Sequence, residues 1–510
     1  MAHKLNVANP EHLVYTTDVL IFSILGGIRI SGLDRLRTTI KISGLIDGNF
    51  PLRYNLDFYN SDQTEKLIRR TAEHFELELK DVRSALMGLM EGLESYRLQR
   101  LEEAVKPKVT VKPLTEEETA KAILYLKAKN LMDKTMDDIG KSGVIGEDLN
   151  RLLMYLVYTS RKLSNPLHII SLGASGTGKT HLQEKVAELI PEEDRIEITS
   201  LTKNSLYYFQ KDELFHKLIL IEDLDGTTDE SMYAIRELQS KKRLSKTIAQ
   251  KDQSGMIKTE TITVDAIVSI AGTTTRESIY EDNSNRSFLI HIDGSKEQDE
   301  RIMDYQRKKS AGEINIIQEG EIRELFKAVQ RTLNPVRVIN PYAKHLRLPE
   351  GIYKPRRTMN LYLSFIEAIT FYHQFQRKIL TTSSKEKFIH TTIEDIKWAN
   401  MLLSEVFLQK SDDISKPSRE CLEKIKVYLL NRKKECFYAR ELKSELRINS
   451  NNLKRYLKEL ESNGYVRIIG GGRYSGYEYK VLSSVEYQDM KTGIHSSLQS
   501  LLKKIKEKHA

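Results

Sequence analysis

The chain has 510 residues and a formal net charge of +9, with 40% hydrophobic and 30% charged residues. That globular balance excludes intrinsic disorder, collagen and low-complexity classes, and at about 150 residues per domain it predicts about three domains. Two cysteines, Cys421 and Cys436, are too few for a disulfide framework or a four-thiolate zinc site, and they point to a reducing compartment.

Residues 1–105 open with strand-like runs, Leu13 to Ile30 and Arg37 to Ile42. Helical spacing follows from Asp62 to Phe75 and from Asp81 to Leu101, so an α+β N-terminal domain is expected. The apolar stretch Val19 to Ile28 is too short to span a bilayer and follows no basic segment. We therefore expect no membrane partner and a cytoplasmic location. Residues 106–132 read as a proline-bearing linker and a helical lead-in, with Thr115 and its following acids as a helix start.

Strands alternating with helices predict a parallel α/β core over 133–296. Its first βα turn is Gly173-Ala174-Ser175-Gly176-Thr177-Gly178-Lys179-Thr180, a complete phosphate-loop pattern, followed by His181. Glycines let successive N–H groups curve around phosphates, and the helix N-terminus adds positive potential. Lys179 supplies a point charge, and the Thr180 hydroxyl can ligate Mg²⁺. About forty residues later, the apolar run Leu218 to Ile221 ends in Glu222, Asp223 and Asp225. Glu222 and Asp223 suit one metal-anchoring and one water-orienting role. Val264 to Ala271 is read as a further strand, delivering Thr273 to the same sheet edge, where it can help hold the attacking water. Arg286 and Arg357 lie where a turn or helix can present a guanidinium to a phosphoryl-transfer transition state.

Together these features, from about Asp133 to Gln409, resemble the minichromosome maintenance (MCM) branch of the AAA+ ATPases, in the form encoded by bacterial mobile elements. The lead-in Gly140 to Asp148, the acid motif Ile221 to Asp225, the turn Ser284 to Phe288 and the helix opening at Arg357-Thr358-Met359 carry the resemblance. It implies an AAA+ P-loop core with a helical lid over 297–410, and ATP and Mg²⁺ as ligands. It also implies Arg286 as a finger acting on a neighbouring subunit, Arg357 as a second sensor on the γ-phosphate, and a hexameric ring. Lys246 to Thr263 resembles the family's channel hairpin, with Lys251 and Lys258 as contacts to a single DNA strand. The sequence departs from the family with Glu222 before Asp223, with Thr273 in place of the usual Asn, and with a phosphate loop closer to the general AAA+ form than to the MCM one. The first leaves open which acid holds the metal. No cysteine precedes Cys421, so the family's zinc motif is absent.

Residues 417–510 hold 20 Lys and Arg against 11 Asp and Glu, a surplus of 9 that equals the net charge of the whole chain. That excess suits either a nucleic-acid contact or solvated surface. Within 417–484, three helices beginning near Glu420, Phe437 and Ser450, and a Gly-rich hairpin, resemble a winged helix. Asn451, Lys454, Arg455 and Lys458 on the third helix, and Arg473 at the wing, are the candidate contacts to duplex or forked DNA. The tail, 485–510, reads as a basic helical end in solvent. The expected function is an ATP-dependent DNA helicase or translocase in replication. A protein remodeller, or an initiator switched by ATP, with the winged helix as adaptor, is the alternative.

Overall fold

A computed structural model describes residues 5–45, 50–105, 112–210, 213–251, 257–276, 285–382, 385–446, 448–472, 476–482 and 487–509. The chain divides into two units, Met1–Val111 and Lys112–Ala510.

In the first unit, β1 (Leu5–Asn6), β2 (His12–Thr16), β3 (Leu20–Leu25), β4 (Arg37–Gly44) and β5 (Leu52–Asp57) form an antiparallel meander in chain order. The run expected from Leu13 to Ile30 is two strands, because Thr17 closes a turn between them. Its amide donates to the Leu20 carbonyl, and its hydroxyl accepts from the Leu20 amide. β5 was not expected from the sequence. Alternate residues of β2–β4 are buried, so one sheet face packs with α1 (Ser61–Phe75) and α2 (Leu79–Val105) in a single apolar cluster. Arg97 is buried in this unit and donates to the carbonyls of Arg35 and Gly32.

The second unit begins with three helices, α3 (Glu116–Leu126), α4 (Leu131–Lys141) and α5 (Asp148–Thr159). A reciprocal capping box between Thr115 and Glu118 fixes the start of α3. The α/β elements follow in order: β6 (Ile169–Leu172), α6 (Lys179–Ala187), β7 (Arg195–Ile198), β8 (Phe215–Ile221) and α7 (Asp229–Lys241). After them come β9 (Arg243–Lys251), β10 (Ile257–Asp265), β11 (Ile267–Thr274) and β12 (Phe288–His291). β9 and β10 pair only with each other, as an antiparallel hairpin. The rest form a parallel sheet ordered β12-β6-β11-β8-β7. β6 is buried throughout and β11 nearly so, as expected of parallel strands covered on both faces. Val264, read as the start of the strand that delivers Thr273, belongs instead to the hairpin, and that strand starts at Ile267.

Four helices follow, α8 (Lys296–Ser310), α9 (Ile316–Thr332), α10 (Pro355–Tyr372) and α11 (Ile393–Ser411). A small sheet not foreseen from sequence, β13 (Arg337–Ile339), β14 (Leu380–Thr381) and β15 (Lys387–His390), lies among them. This helical region shares one apolar core with α3–α5 and the parallel sheet. Fully buried Arg161 ties the two parts together, donating to Gln330 of α9 at 2.7 Å and to Asp194 at 2.6 Å.

The C-terminal elements are α12 (Lys416–Arg432), β16 (Cys436–Tyr438), α13 (Ala439–Leu446), α14 (Ser450–Ser462), β17 (Val466–Gly472), β18 (Gly476–Val481) and α15 (Tyr487–His509). β18 lies between β16 and β17. Phe437 and Tyr438 were expected to open a helix, but they form a strand paired with β18, and the helix begins at Ala439. Glu459 of α14 accepts from the Ser415 amide and from the Ser415 and Ser418 hydroxyls, so α14 caps α12. The reading of the tail as a solvated end is corrected. Ile494, Leu498, Leu501 and Ile505 of α15 are buried in the same core as α11. The residues recur at helical spacing, and the surface of α11 supplies their cover.

Candidate functional site

β6 ends at Leu172, and the chain then turns through Gly173 to Gly178 before α6 starts at Lys179. Gly176 and Gly178 have φ of +84° and +83°, a backbone region that side chains other than glycine rarely adopt. The Thr177 hydroxyl donates to the Ala174 carbonyl at 2.9 Å and braces the turn. Ala174, Ser175, Gly176 and Gly178 are exposed, which leaves the rim of the loop open to an anion. Lys179 is buried, and its ammonium donates to the carbonyls of Gly173 at 2.9 Å and Ala174 at 2.7 Å. Burial lowers its pKa from the ordinary lysine value, while the carboxylates of Asp225 and Asp223 act in the opposite direction.

The facing wall comes from β8 and β11, which are neighbours in the sheet. Thr273 donates its hydroxyl proton to the Glu222 carbonyl, and its own carbonyl accepts from Leu224 at 2.9 Å. Thr273 thereby fixes the acid segment, and only its oxygen lone pairs remain to meet a water. Gly272 allows this close approach, since a Cβ there would lie 2.8 Å from Leu224 Cδ1. Asp225, given no separate role in the sequence reading, joins the two segments. It accepts from the Thr274 hydroxyl, from the Thr275 amide at 2.8 Å and from the Thr275 hydroxyl at 2.6 Å, and Arg276 stands at 3.5 Å. Burial opposes its charge, but these donors prevail and hold the carboxyl below the ordinary range. The Asp225 amide in turn donates to Asp223 at 2.8 Å.

A cavity of about 440 Å³ lies between the walls, lined by Ser175, Gly176, Gly178, Lys179, Thr180, His181, Glu222, Asp223 and Thr273, with Thr274 and Thr275. No three His, Cys, Asp or Glu side chains cluster as a metal cage among the described residues. One hydroxyl and one or two carboxylates beside a phosphate loop are the donor set that Mg²⁺ takes with a nucleotide, so Thr180, Glu222 and Asp223 fit it.

Across Gly178 a second cavity, of about 260 Å³, also contacts Thr177 and His181. Val144, Ile145, Ile292 and Ile302 make it apolar, and Glu147, Asp293 and Gln298 bring polar groups to it. Gly146 is required here, because a Cβ would lie 2.0 Å from Gln298 Oε1, and Gln298 Nε2 donates to the Ile145 carbonyl. The cavity adjoins the phosphate loop at Thr177 and Gly178. Its lead-in strip and its loop side, Thr177, Gly178 and His181, are legible in the sequence. Its other wall, from 292 to 309, is distant in sequence and carries no motif.

The remaining predicted residues lie elsewhere. Arg286 is half-buried before β12, at the end of the sheet opposite the phosphate loop. Arg357 is exposed in the first turn of α10 and does not line the 440 Å³ cavity. Lys251 and Lys258 occupy neighbouring register positions near the hairpin tip, opposite Ile257 and Gln250. Asn451, Lys454, Arg455 and Lys458 are exposed on α14, while Leu453, Tyr456, Leu457 and Leu460 are buried beneath them. Arg473, the hairpin tip from 252 to 255 and Ser284 lie outside the described residues.

A family model described as the MTBMA_p00010 P-loop domain matches residues 115–335, from the cap of α3 through α9. No curated protein matches the chain. No helix among the described residues is long and apolar enough to cross a membrane. Loop, acid segment and family match agree that residues 115–335 are a P-loop domain, the architecture of nucleotide-binding NTPases.

Proposed function

We propose that the chain is an AAA+ ATP hydrolase, resembling the MCM branch, that works as a ring-shaped homo-hexamer moving along DNA during replication. The position of Arg286 carries this reading. β12 runs parallel to β6 with Phe288 opposite Ile169, so Arg286 is level with Leu167, six residues before Gly173. At about 3.3 Å per residue that is roughly 20 Å from the chain's own loop, beyond the reach of a guanidinium. Such an arginine can complete a phosphoryl-transfer site only in an adjoining protomer.

In the mechanism, the loop amides and Lys179 hold the β- and γ-phosphates. Thr180 and one acid would hold Mg²⁺, which would neutralise phosphate charge when bound. The other acid of the Glu222–Asp223 pair orients the attacking water, and Thr273 keeps that pair in place. The adjoining protomer's Arg286 stabilises the charge that develops on the γ-phosphate, a contribution worth 10³–10⁵ in rate in related enzymes. Arg357 would reach the γ-phosphate only from another subunit or after lid closure.

Two features support DNA as the track. β10 leads within two residues into β11, the strand that carries Thr273 at its other end, so the hairpin is joined directly to a strand of the proposed hydrolysis site. Lys251 and Lys258 then take strand phosphates in the channel. The C-terminal order of helix, strand, two helices and hairpin resembles a winged helix, with the exposed residues of α14 as its contacts to duplex or fork.

Unwinding of a forked DNA by the wild-type chain with ATP, beside an Asp223→Asn control, tests the reading. Strand separation lost in the control is the expected result. ATPase activity indifferent to DNA would favour a protein remodeller instead. DNA-stimulated ATPase without strand separation would favour an ATP-switched initiator.

A further inference from the structure

We infer that the groove between the 345–351 loop and α15 holds a nucleic-acid phosphodiester backbone, a contact separate from both the hairpin and α14. The inference extends the nucleic-acid reading above and rests on it. The groove encloses about 940 Å³, with Arg347 on one side and Lys504 and Lys508 on the other. Ser496, Ser497 and Ser500 add hydroxyls, and Glu350 is the one carboxylate among the lining residues.

Docking makes this surface definite. With Ile494, Leu498, Leu501 and Ile505 buried against the core, α15 cannot rotate, and its lysines keep one facing. The Arg347 guanidinium is set by its own loop, donating to the carbonyls of Leu346 at 2.7 Å and Lys344 at 3.0 Å. Some cations elsewhere on the unit are paired on their own helix, as Arg307 and Lys308 are with Glu300 and Asp304. Among the described residues, no carboxylate lies within ion-pair distance of Lys503, Lys504, Lys506 or Lys508, all exposed.

Lysines one turn apart repel each other, and the helix dipole offsets this at a C-terminus. The dipole accounts for cations in the last turn but not for Arg347 facing them across the groove. An open trough with cations at the pitch of a helical turn, about 5.4 Å, suits a repeating anion better than a single phosphate. The α15 wall of the groove belongs to the stretch 417–510, which holds 20 Lys and Arg against 11 acids.

The test uses the full chain and a labelled forked DNA, with fluorescence anisotropy over a salt series. The Arg347→Ala/Lys504→Ala/Lys508→Ala variant should keep its DNA-free ATPase rate, and so its fold. Its plot of log affinity against log salt should be shallower by about 2 to 3, at 0.7–0.9 per lost phosphate contact. A variant with wild-type affinity and slope overturns the inference while leaving the proposed function standing. A wild-type chain that binds no DNA overturns both. Polyglutamate of matched charge serves as competitor. If the variant loses polyglutamate binding but keeps DNA binding, the groove is an acidic-protein surface and the inference fails.

Discussion

Replacing Asp225 with alanine tests whether the facing wall of the cleft is held together by the third acid. The carboxylate receives the Thr274 hydroxyl, which is buried, together with the Thr275 amide and hydroxyl. A hydrogen bond to a charged group contributes about 1.5–3 kcal/mol. Thr275 and Arg276 are exposed, so their bonds are discounted for solvent and the expected local loss is about 2–4 kcal/mol. In the proposed mechanism, turnover requires Thr273 against Glu222. The Thr273 bonds to Glu222 and Leu224 still tie the two segments, so the fall in kcat is at most on the order of 10²-fold, the whole loss converted at about 1.4 kcal/mol per tenfold. Nucleotide affinity should change little, because the loop and Lys179 remain. Asp225→Asn, with one acceptor oxygen retained, should fall between wild type and alanine. Steady-state ATPase, nucleotide titration and urea denaturation measure the three quantities. Wild-type kcat and wild-type stability in Asp225→Ala would refute the reasoning.

Lys179→Ala should abolish hydrolysis, and Arg286→Ala should retain nucleotide binding but lose turnover. Mixing the two variants should restore part of the ATPase, because each supplies what the other's site lacks. Mixtures as inactive as their parts would count against a finger acting between protomers. Arg419 and Asp412 form a buried pair at 2.6 Å where the C-terminal module joins α11. Breaking it with Asp412→Asn leaves a buried guanidinium short of its partner, and such losses cost about 3–5 kcal/mol. Limited proteolysis should then release the module sooner, and an unchanged digestion rate would contradict this. Burial opposes the charge of Asp395, but bonds from His373 and Arg377 outweigh it and bring the carboxyl down to about 2. A depressed carboxyl stabilises the fold above its unfolded pKa of about 3.9, and that contribution, about 2 kcal/mol, is lost as pH falls towards 2. Acid denaturation of Asp395→Asn should show a correspondingly flatter profile between pH 4 and pH 2.

The phosphate loop was legible because its chemistry is local. Eight consecutive residues hold the glycines, the lysine and the hydroxyl, and the strand before and helix after follow from short apolar patterns. The acid segment was legible for the same reason, and so was the split of α14 into an apolar and a charged face. Pairing across distance was not legible. The bond from Thr274 to Asp225 spans 49 residues, and the fit of Gly272 against Leu224 depends on β11 lying beside β8. Nothing in either segment alone names the other.

The same contrast holds at the C-terminus. Leu498, Leu501 and Ile505 announce an apolar stripe on a helix, because side chains recur every three to four residues on one face. Whether that stripe meets solvent, a partner or the chain's own core depends on which surface is left open to it, and here the core takes it. The sequence by itself determined the phosphate loop with its acid segment and the faces of individual helices and strands, since both depend on neighbours within a turn or two. Only the tertiary structure decided the strand order, the distance of Arg286 from its own loop and the far wall of the apolar cavity beside the loop. Those depend on which buried surfaces meet, a choice made by the packing of the whole unit.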